Sequence, residues 1–329
     1  MANSVDITGL LSYTEQRQKE LLTNHIIGAE FAQKISLDFK IHSNKTYPKI
    51  VVKSNSKAYD GIHDAEANKI VLSETAIKVN VLQDDYSFDP EQYRHTFLGE
   101  GVDISGNVVP LMQLKLEKII ADNIAVMNQS IIWNAATNRP GTDPSRLRQT
   151  NGFAEMIRLS LLSPTSGIRQ IATGALTTGS GLGNSSSVVE GNIQNKIFLM
   201  DNESPLQLAM KPRIAYMSYE NYYKIVDDQC RRYLGKKEAD LFTTGPNGDG
   251  IYAEKSQGML KYEPCHFMGL SNRVAITTKE NMIYGTDIGL DTFGLFSTDS
   301  NVYKVDLGFK MVYGFHIPDF PAMTVNDLA

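Results

Sequence analysis

The longest uninterrupted helical pattern covers 109–136, where Leu116, Ile120, Ile124, Met127 and Ile131 recur at steps of four, four, three and four. Lys115, Lys118, Asp122 and Gln129 fall on the opposite side, so the stretch predicts one amphipathic helix. Pro110 suits its first turn, where a missing N–H costs nothing, and 134–141 with Pro140 supplies the stop. At about 1.5 Å per residue it is roughly 35–40 Å long, the dimension of a spine. Lys115, Glu117, Lys118 and Asp122 keep the apolar run too short to cross a bilayer.

Upstream the pattern is weaker. Ser12-x-x-Glu15 has capping-box spacing ahead of a polar helical segment, and 26–37 continues helically until HSNKTYPK (42–49) breaks it. Residues 1–45 thus read as an arm, mostly outside any core. Over 46–100 the apolar runs IVV and IVLSETAIKVNVL flank a polar stretch, and Ile77, Val79 and Val81 alternate with Lys78 and Asn80. This predicts strands around a projecting two-stranded loop; a solvated hairpin with no task is the plainer alternative.

Downstream of the spine, 137–157 is a turn-rich connector ending in a short apolar piece, 153–157, and the Gly/Ser/Thr-rich stretch 167–192 is a loop at a lobe boundary. Ile193, Ile197 and Met200 mark a helix, ESPLQLAMKP a link, and RIAYM (213–217) a buried strand. Ser218 caps a further helix with Tyr222, Ile225 and Val226 on one side. An exposed loop follows over 235–258, then three short strand-like runs, MLKYEPCHFM, RVAITTKE and NMIYGTDI. In 302–317, Val305, Leu307, Phe309, Met311, Tyr313, Phe315 and Ile317 share one parity, predicting one buried and one wet face. The run is either two strands broken near Gly308 or Gly314, or one long strand crossing between lobes.

Composition adds constraints. The chain has 329 residues, 42% hydrophobic and 21% charged, ordinary for a globular protein of two or three lobes. A net charge of -5 argues against a protein whose main work is gripping a phosphate backbone. Two cysteines, Cys230 and Cys265, exclude a disulfide scaffold, and MANSVDITGL has no secretory pattern, so folding in a cytoplasm is expected.

No constellation for chemistry emerges. The histidines at 25, 42, 63, 95, 266 and 316 have no metal-binding spacing, and adjacent Cys265 and His266 diverge on a strand, so Cys265 reads as a buried thiol. Gly179, Gly181 and Gly183 lack the lysine of a phosphate loop. Asp84, Asp85 and Asp89 lack the Gly and terminal Glu of a calcium loop. Asp227 and Asp228 are adjacent on a helix and do not face each other. We therefore expect no catalytic, cofactor-binding or metal-binding residue, no cofactor and no enzyme activity: a building block.

The order of elements resembles the major capsid protein of tailed bacteriophages, from about residue 26 onward. The likeness is carried by the spine running into Trp133-Asn134-Ala135, by NGFAEM, by the helix, strand, cap and helix of 192–226, and by RVAITTKENMIYGTDIGLD followed by VYKVDLGFKMVYGFHI. The resemblance implies an α+β, Hong Kong 97-like fold. Its parts would be an N-terminal arm (1–45), extended loop and flanking strands (46–100), peripheral domain with spine helix (101–158), axial domain (159–298) and closing strand of the peripheral domain (299–329). It further implies a chain that assembles with itself as hexamers and pentamers into an icosahedral shell in a bacterial cytoplasm. That shell, the virion's capsid, would enclose double-stranded DNA without sequence specificity, with portal, scaffolding and decoration proteins as partners and no membrane. No long charged extension precedes the arm, which leaves open a separate scaffold or a removed one, and no Lys, Asn and Glu set for crosslinking can be matched. The alternatives are an encapsulin-like compartment and, from another class, a hydrolase using Asp84 and Asp89.

Overall fold

The computed structural model describes residues 30–53, 69–88, 129–178, 192–232, 251–253, 256, 258–287, 292–296 and 305–328. The alternating run near the C-terminus is one unbroken strand, β12 (Val305–His316), which settles the choice between one strand and two. On it pair β4 (Asn80–Phe88), antiparallel from Val305↔Phe88 to Tyr313↔Asn80, β11 (Thr292–Phe296) along 306–310, and β10 (Ile283–Gly285) along 314–316. The short β1 (Ser36–Asp38) joins β10 in parallel, completing a five-stranded sheet.

A second, six-stranded sheet has the order β5-β13-β9-β6-β8-β7. Its strands are β5 (Arg169–Ile171), β6 (Arg213–Met217), β7 (Ile251–Tyr252), β8 (Leu260–Pro264), β9 (Ala275–Thr277) and β13 (Thr324–Asn326). Thus the strand-like run NMIYGTDI contributes to the first sheet, and the last strand, β13, to the second. The expected loop 235–258 ends in β7, which pairs with β8.

Five helices are described besides the end of the spine: α1 (Glu30–Lys34), α2 (Phe153–Leu162), α3 (Ile193–Asn202), α4 (Leu206–Ala209) and α5 (Tyr219–Arg232). The period-3.6 reading of α3 holds, with Ile193, Ile197 and Met200 fully buried against Met217, Ile225 and Ile276. Asn192 caps it by accepting from the Asn195 amide at 2.9 Å, and Ser218 Oγ accepts from Asn221 N at 3.4 Å at the start of α5. On α5 the fully covered side chains include Asn221, Ile225, Asp228 and Gln229, while Tyr222 and Val226 are half-buried. Buried Arg213 at the head of β6 forks onto Asp201 of α3, with Nη2 donating to Oδ2 at 2.6 Å, which fixes helix to sheet.

Of the predicted spine, 129–134 is helical and ends where expected; 109–128 lies outside the described residues. Ile131, Ile132 and Trp133 are all buried, so this end is covered more widely than along one stripe, with Gln129 and Asn134 left exposed. It is sealed by Gly152, whose amide donates to Ala135 O at 2.7 Å and whose missing Cβ would stand 2.8 Å from the carbonyl oxygens of Ile131, Ile132 and Trp133. The short piece expected at 153–157 continues to Leu162 as α2. Phe153, Tyr216, Tyr284, Tyr313 and Phe315 join Trp133 in one core that touches both large sheets.

Three expectations are corrected. The arm is not outside the core after residue 30: Phe31, Ile35 and Ile41 are 4%, 1% and 1% exposed, because α1 and β1 pack on β10 and its neighbours. The predicted break at 42–49 is instead the start of β2 (Asn44–Lys53), which forms a ten-pair antiparallel hairpin with β3 (Lys69–Lys78). Pro48 is tolerated because a two-stranded ribbon has only edges. The alternation through Ile77, Val79 and Val81 fails at Val79, where the chain leaves the hairpin for β4: Ile77 is buried, Val81 is 49% exposed and Leu82 is buried.

The wet face predicted for β12 is covered at its C-terminal end, while Lys310 is half-buried. Val312 and His316 are buried, because the hairpin lies over them. His316 Nε2 hydrogen-bonds Thr75 Oγ1 at 3.1 Å, and its ring stacks on Tyr47 with centroids 5.5 Å apart. A Cβ on Gly314 would stand 2.6 Å from Lys78 O, and one on Gly285 would meet Ile41 and Ile77 within 2.6 Å. Both glycines let the hairpin's backbone and apolar side approach the sheet. Tyr47 Oη donates to Asp38 at 2.6 Å, tying the same hairpin to β1.

Two outcomes follow from this packing. Gly152→Ala sets a methyl against three backbone carbonyls that cannot rotate away, and we expect it to lower stability by about 2–3 kcal/mol in urea denaturation. Burial holds the His316 imidazole below its ordinary value of 6.5, so on acidification the unfolded chain takes up that proton first. Its contribution is therefore fully present above about pH 6.5 and is lost as the pH falls below it. His316→Gln should flatten that part of the stability profile between pH 7.5 and 5; an unchanged slope would show that His316 does not set it.

Candidate functional site

The residues weighed for chemistry do not converge. Asp84 and Asp85 lie within β4, paired with Phe309 and Gly308, while Asp89, Gly179, Gly181 and Gly183 lie outside the described residues. Cys265 is fully buried, its thiol pushed well above the ordinary value by burial, which suits a packing role and not a nucleophile. His42 pairs with Asp287 at 2.5 Å, His266 with Glu30, and His316 seats the hairpin; His25, His63 and His95 lie outside the described residues. Among the described residues no three His, Cys, Asp or Glu side chains are grouped to hold a metal, and no helix is long and apolar enough to cross a membrane.

What the fold does build is a set of anchored surfaces. One is the exit of the N-terminal segment. Glu30 of α1 binds Lys34, His266 and, at 3.2 Å, the hydroxyl of Tyr219. Lys34 also reaches Glu263 at 3.5 Å and lies over the Tyr219 ring, and the Tyr216 hydroxyl donates to Lys34 O at 2.7 Å. Burial raises the Glu30 carboxyl, but the hydrogen bond and charge of Lys34, and then those of His266, outweigh it and leave the group below the usual range. The segment is thus clamped to the six-stranded sheet by one carboxylate shared among three partners.

A second is an open cleft of about 530 Å³ where the end of the spine helix, α2 and the 268–273 turn meet. Trp133, Ala136, Ala154, Met268 and Leu270 give it apolar walls, and Arg139, Arg158 and Arg273 bring three guanidinium groups. Gly269, at φ +55°, turns the chain so that Leu270 stands 85% exposed at the rim. Arg139 is paired with Asp143 at 2.9 Å, and Arg158 binds Glu155 through two bonds of 2.6 and 2.7 Å. None of these arginines stood out in the sequence. The signal present was Arg273 at the head of the apolar run leading into β9, a charge where a core begins.

Comparison with known proteins follows from this geometry. No family model matches the chain, and no curated protein is similar to it in sequence. Solved structures are similar in fold. The satellite phage P4 procapsid including size determination (Sid) protein aligns over 94% of this chain and 89% of that chain, with TM-score 0.60 and 11% identity. The capsid of the native GTA particle aligns over 90% and 88%, with TM-score 0.52 and 12% identity. The capsid of Myoviridae Phage XM1 aligns over 90% of both chains, with TM-score 0.51 and 13% identity. The likeness extends over nearly the whole chain, which has the α+β fold of tailed-phage major capsid proteins, the Hong Kong 97-like fold.

Proposed function

We propose that this chain is a structural shell protein and not an enzyme, assembling as hexamers and pentamers into the icosahedral head of a tailed phage around double-stranded DNA. The observation that carries the reading is the match over 94% of the chain to a procapsid subunit, which leaves little of the chain for any other task. In this reading the β2–β3 hairpin is the extended loop. The five-stranded sheet with the spine helix forms the peripheral domain and the six-stranded sheet with α3 and α5 the axial domain, so β10 and β11 go with the peripheral part and β13 with the axial part, across the expected boundaries 159–298 and 299–329. The P4 structure contains a second protein that determines size, and we extend to this chain the expectation of scaffolding and portal partners. The protein would reside in the virion after assembly in a bacterial cytoplasm. The solved structures named above are phage and GTA capsids, which favours neither the encapsulin-like reading nor the hydrolase reading on Asp84 and Asp89.

Physically, a closed shell needs only modest contacts, repeated by symmetry. Negative-stain microscopy and sedimentation of the full chain over a range of concentrations should reveal capsomers, tubes or shells; a species that stays monomeric or dimeric throughout would sink the proposal. A second outcome concerns the hairpin. Joining Lys53 to Lys69, which face each other in register, through an Asn-Gly turn in place of 54–68 should leave the subunit folded by circular dichroism but unable to close shells.

A further inference from the structure

The cleft beside Trp133 contains one arginine, Arg273, that no carboxylate among the described residues pairs. Arg273 is 7% exposed, and its guanidinium, with five donors, makes a single bond of 3.4 Å, from Nη1 to Asn326 O. Among the described residues no carboxylate lies within ion-pairing distance of it, whereas Arg139 and Arg158 each have one. Burial pushes the Arg273 guanidinium below its ordinary value, opposed only by the field of Asp327. Asp327 is itself engaged, its Oδ1 accepting from the Thr173 and Gly174 amides at 2.9 and 3.2 Å. Its unbonded guanidinium nitrogens are not sealed from the open cleft, so a carboxylate arriving from outside the subunit can take them in charge-assisted hydrogen bonds.

We propose that this cleft docks a carboxylate-bearing segment of a second copy of the chain, with Arg273 receiving the acid and Trp133, Met268 and Leu270 forming the wall for the apolar side chain beside it. The charge arithmetic selects this occupant. Three arginines against Glu155 and Asp143 leave a net single positive charge, enough for one carboxylate. It is poorly matched to a nucleic-acid strand, whose phosphates Glu155 and Asp143 would repel. The chain itself is acidic, at -5, and has acids beside apolar residues in Tyr59-Asp60 with Ile62 and in Asp89 to Glu100 with Phe97 and Leu98, so copies of it can supply the ligand. The proposal rests on the reading that copies associate.

The chain's only tryptophan, Trp133, lines the cleft, so its fluorescence reports occupancy. Below the assembly concentration, full-length protein is titrated with synthetic peptides of residues 54–68 and 89–100, with the same peptides carrying Asn and Gln for every Asp and Glu, and with an oligodeoxythymidine. One acidic peptide should give a saturable change that its amidated form does not. Arg273→Met should weaken that binding, and raise the assembly concentration, at least about tenfold, while Arg273→Lys, which keeps a cation on a similar stem, recovers part of both. A signal from the oligonucleotide but from neither peptide, equal binding of amidated peptides, or an Arg273→Met protein that binds and assembles like the parent would overturn the dock. Shells that form unchanged in Arg273→Met would leave the shell reading standing, whereas peptide binding by a parent chain that never assembles would leave the dock without the shell.

Discussion

Burial of both faces of β12 over residues 311–316 is the constraint on which the rest depends. One face meets the main core through Met311, Tyr313 and Phe315; the other, with Val312, Gly314 and His316, would be wet if the β2–β3 ribbon did not lie across it. A two-stranded ribbon is marginal alone and gains its hold from such a seat. The seat is made by absence as much as by contact, since the bare Cα of Gly314 and of Gly285 lets the ribbon come within van der Waals range. The base of the hairpin is therefore fixed by the subunit, and its far end, beyond Lys53 and Lys69, begins from a defined direction.

Much of the fold was legible where local periodicity and tertiary burial agree. Ile193, Ile197 and Met200 all face one core, and in RIAYM the four residues after Arg213 are apolar and take an inner place in the sheet. Reading failed where burial comes from a distant segment. Gly314 and His316 look polar until the hairpin covers them, and Phe31, Ile35, Leu37, Phe39 and Ile41 form an apolar run whose burial is decided by β10, far along the chain. The 42–49 stretch has the composition of a turn, yet β3 further along the chain holds it extended through the register Asn44↔Lys78 to Lys49↔Ser73. Gly152 carries no sequence mark of its task, because that task is only visible beside the three carbonyls it admits. The cleft was least legible of all: its arginines come from three separate elements, and what distinguishes Arg273 is the lack of a nearby acid, which a sequence does not display.

Identities of 11–13% with capsids of the same fold are consistent with what holds this structure together. Most of its specifications are of type and order: an apolar face, a cap, a small residue at a crossing, a strand long enough to serve two neighbours. Cores accept many hydrophobic sets at constant volume and pattern, so such a fold survives the loss of nearly every individual letter.

The placement of β13 has a temporal meaning. It lies between β5 and β9, parallel to the first and antiparallel to the second, so β5 has no sheet neighbour until residues 324–326 have emerged from the ribosome. Segments more than 150 residues apart must wait for one another, and neither large sheet can be finished as an independent N-terminal unit, since β1 waits for β10 and β10 for β12. Translation thus acts as a clock: a nascent chain cannot complete its six-stranded sheet until residues 324–326 are available to pair with β5 and β9.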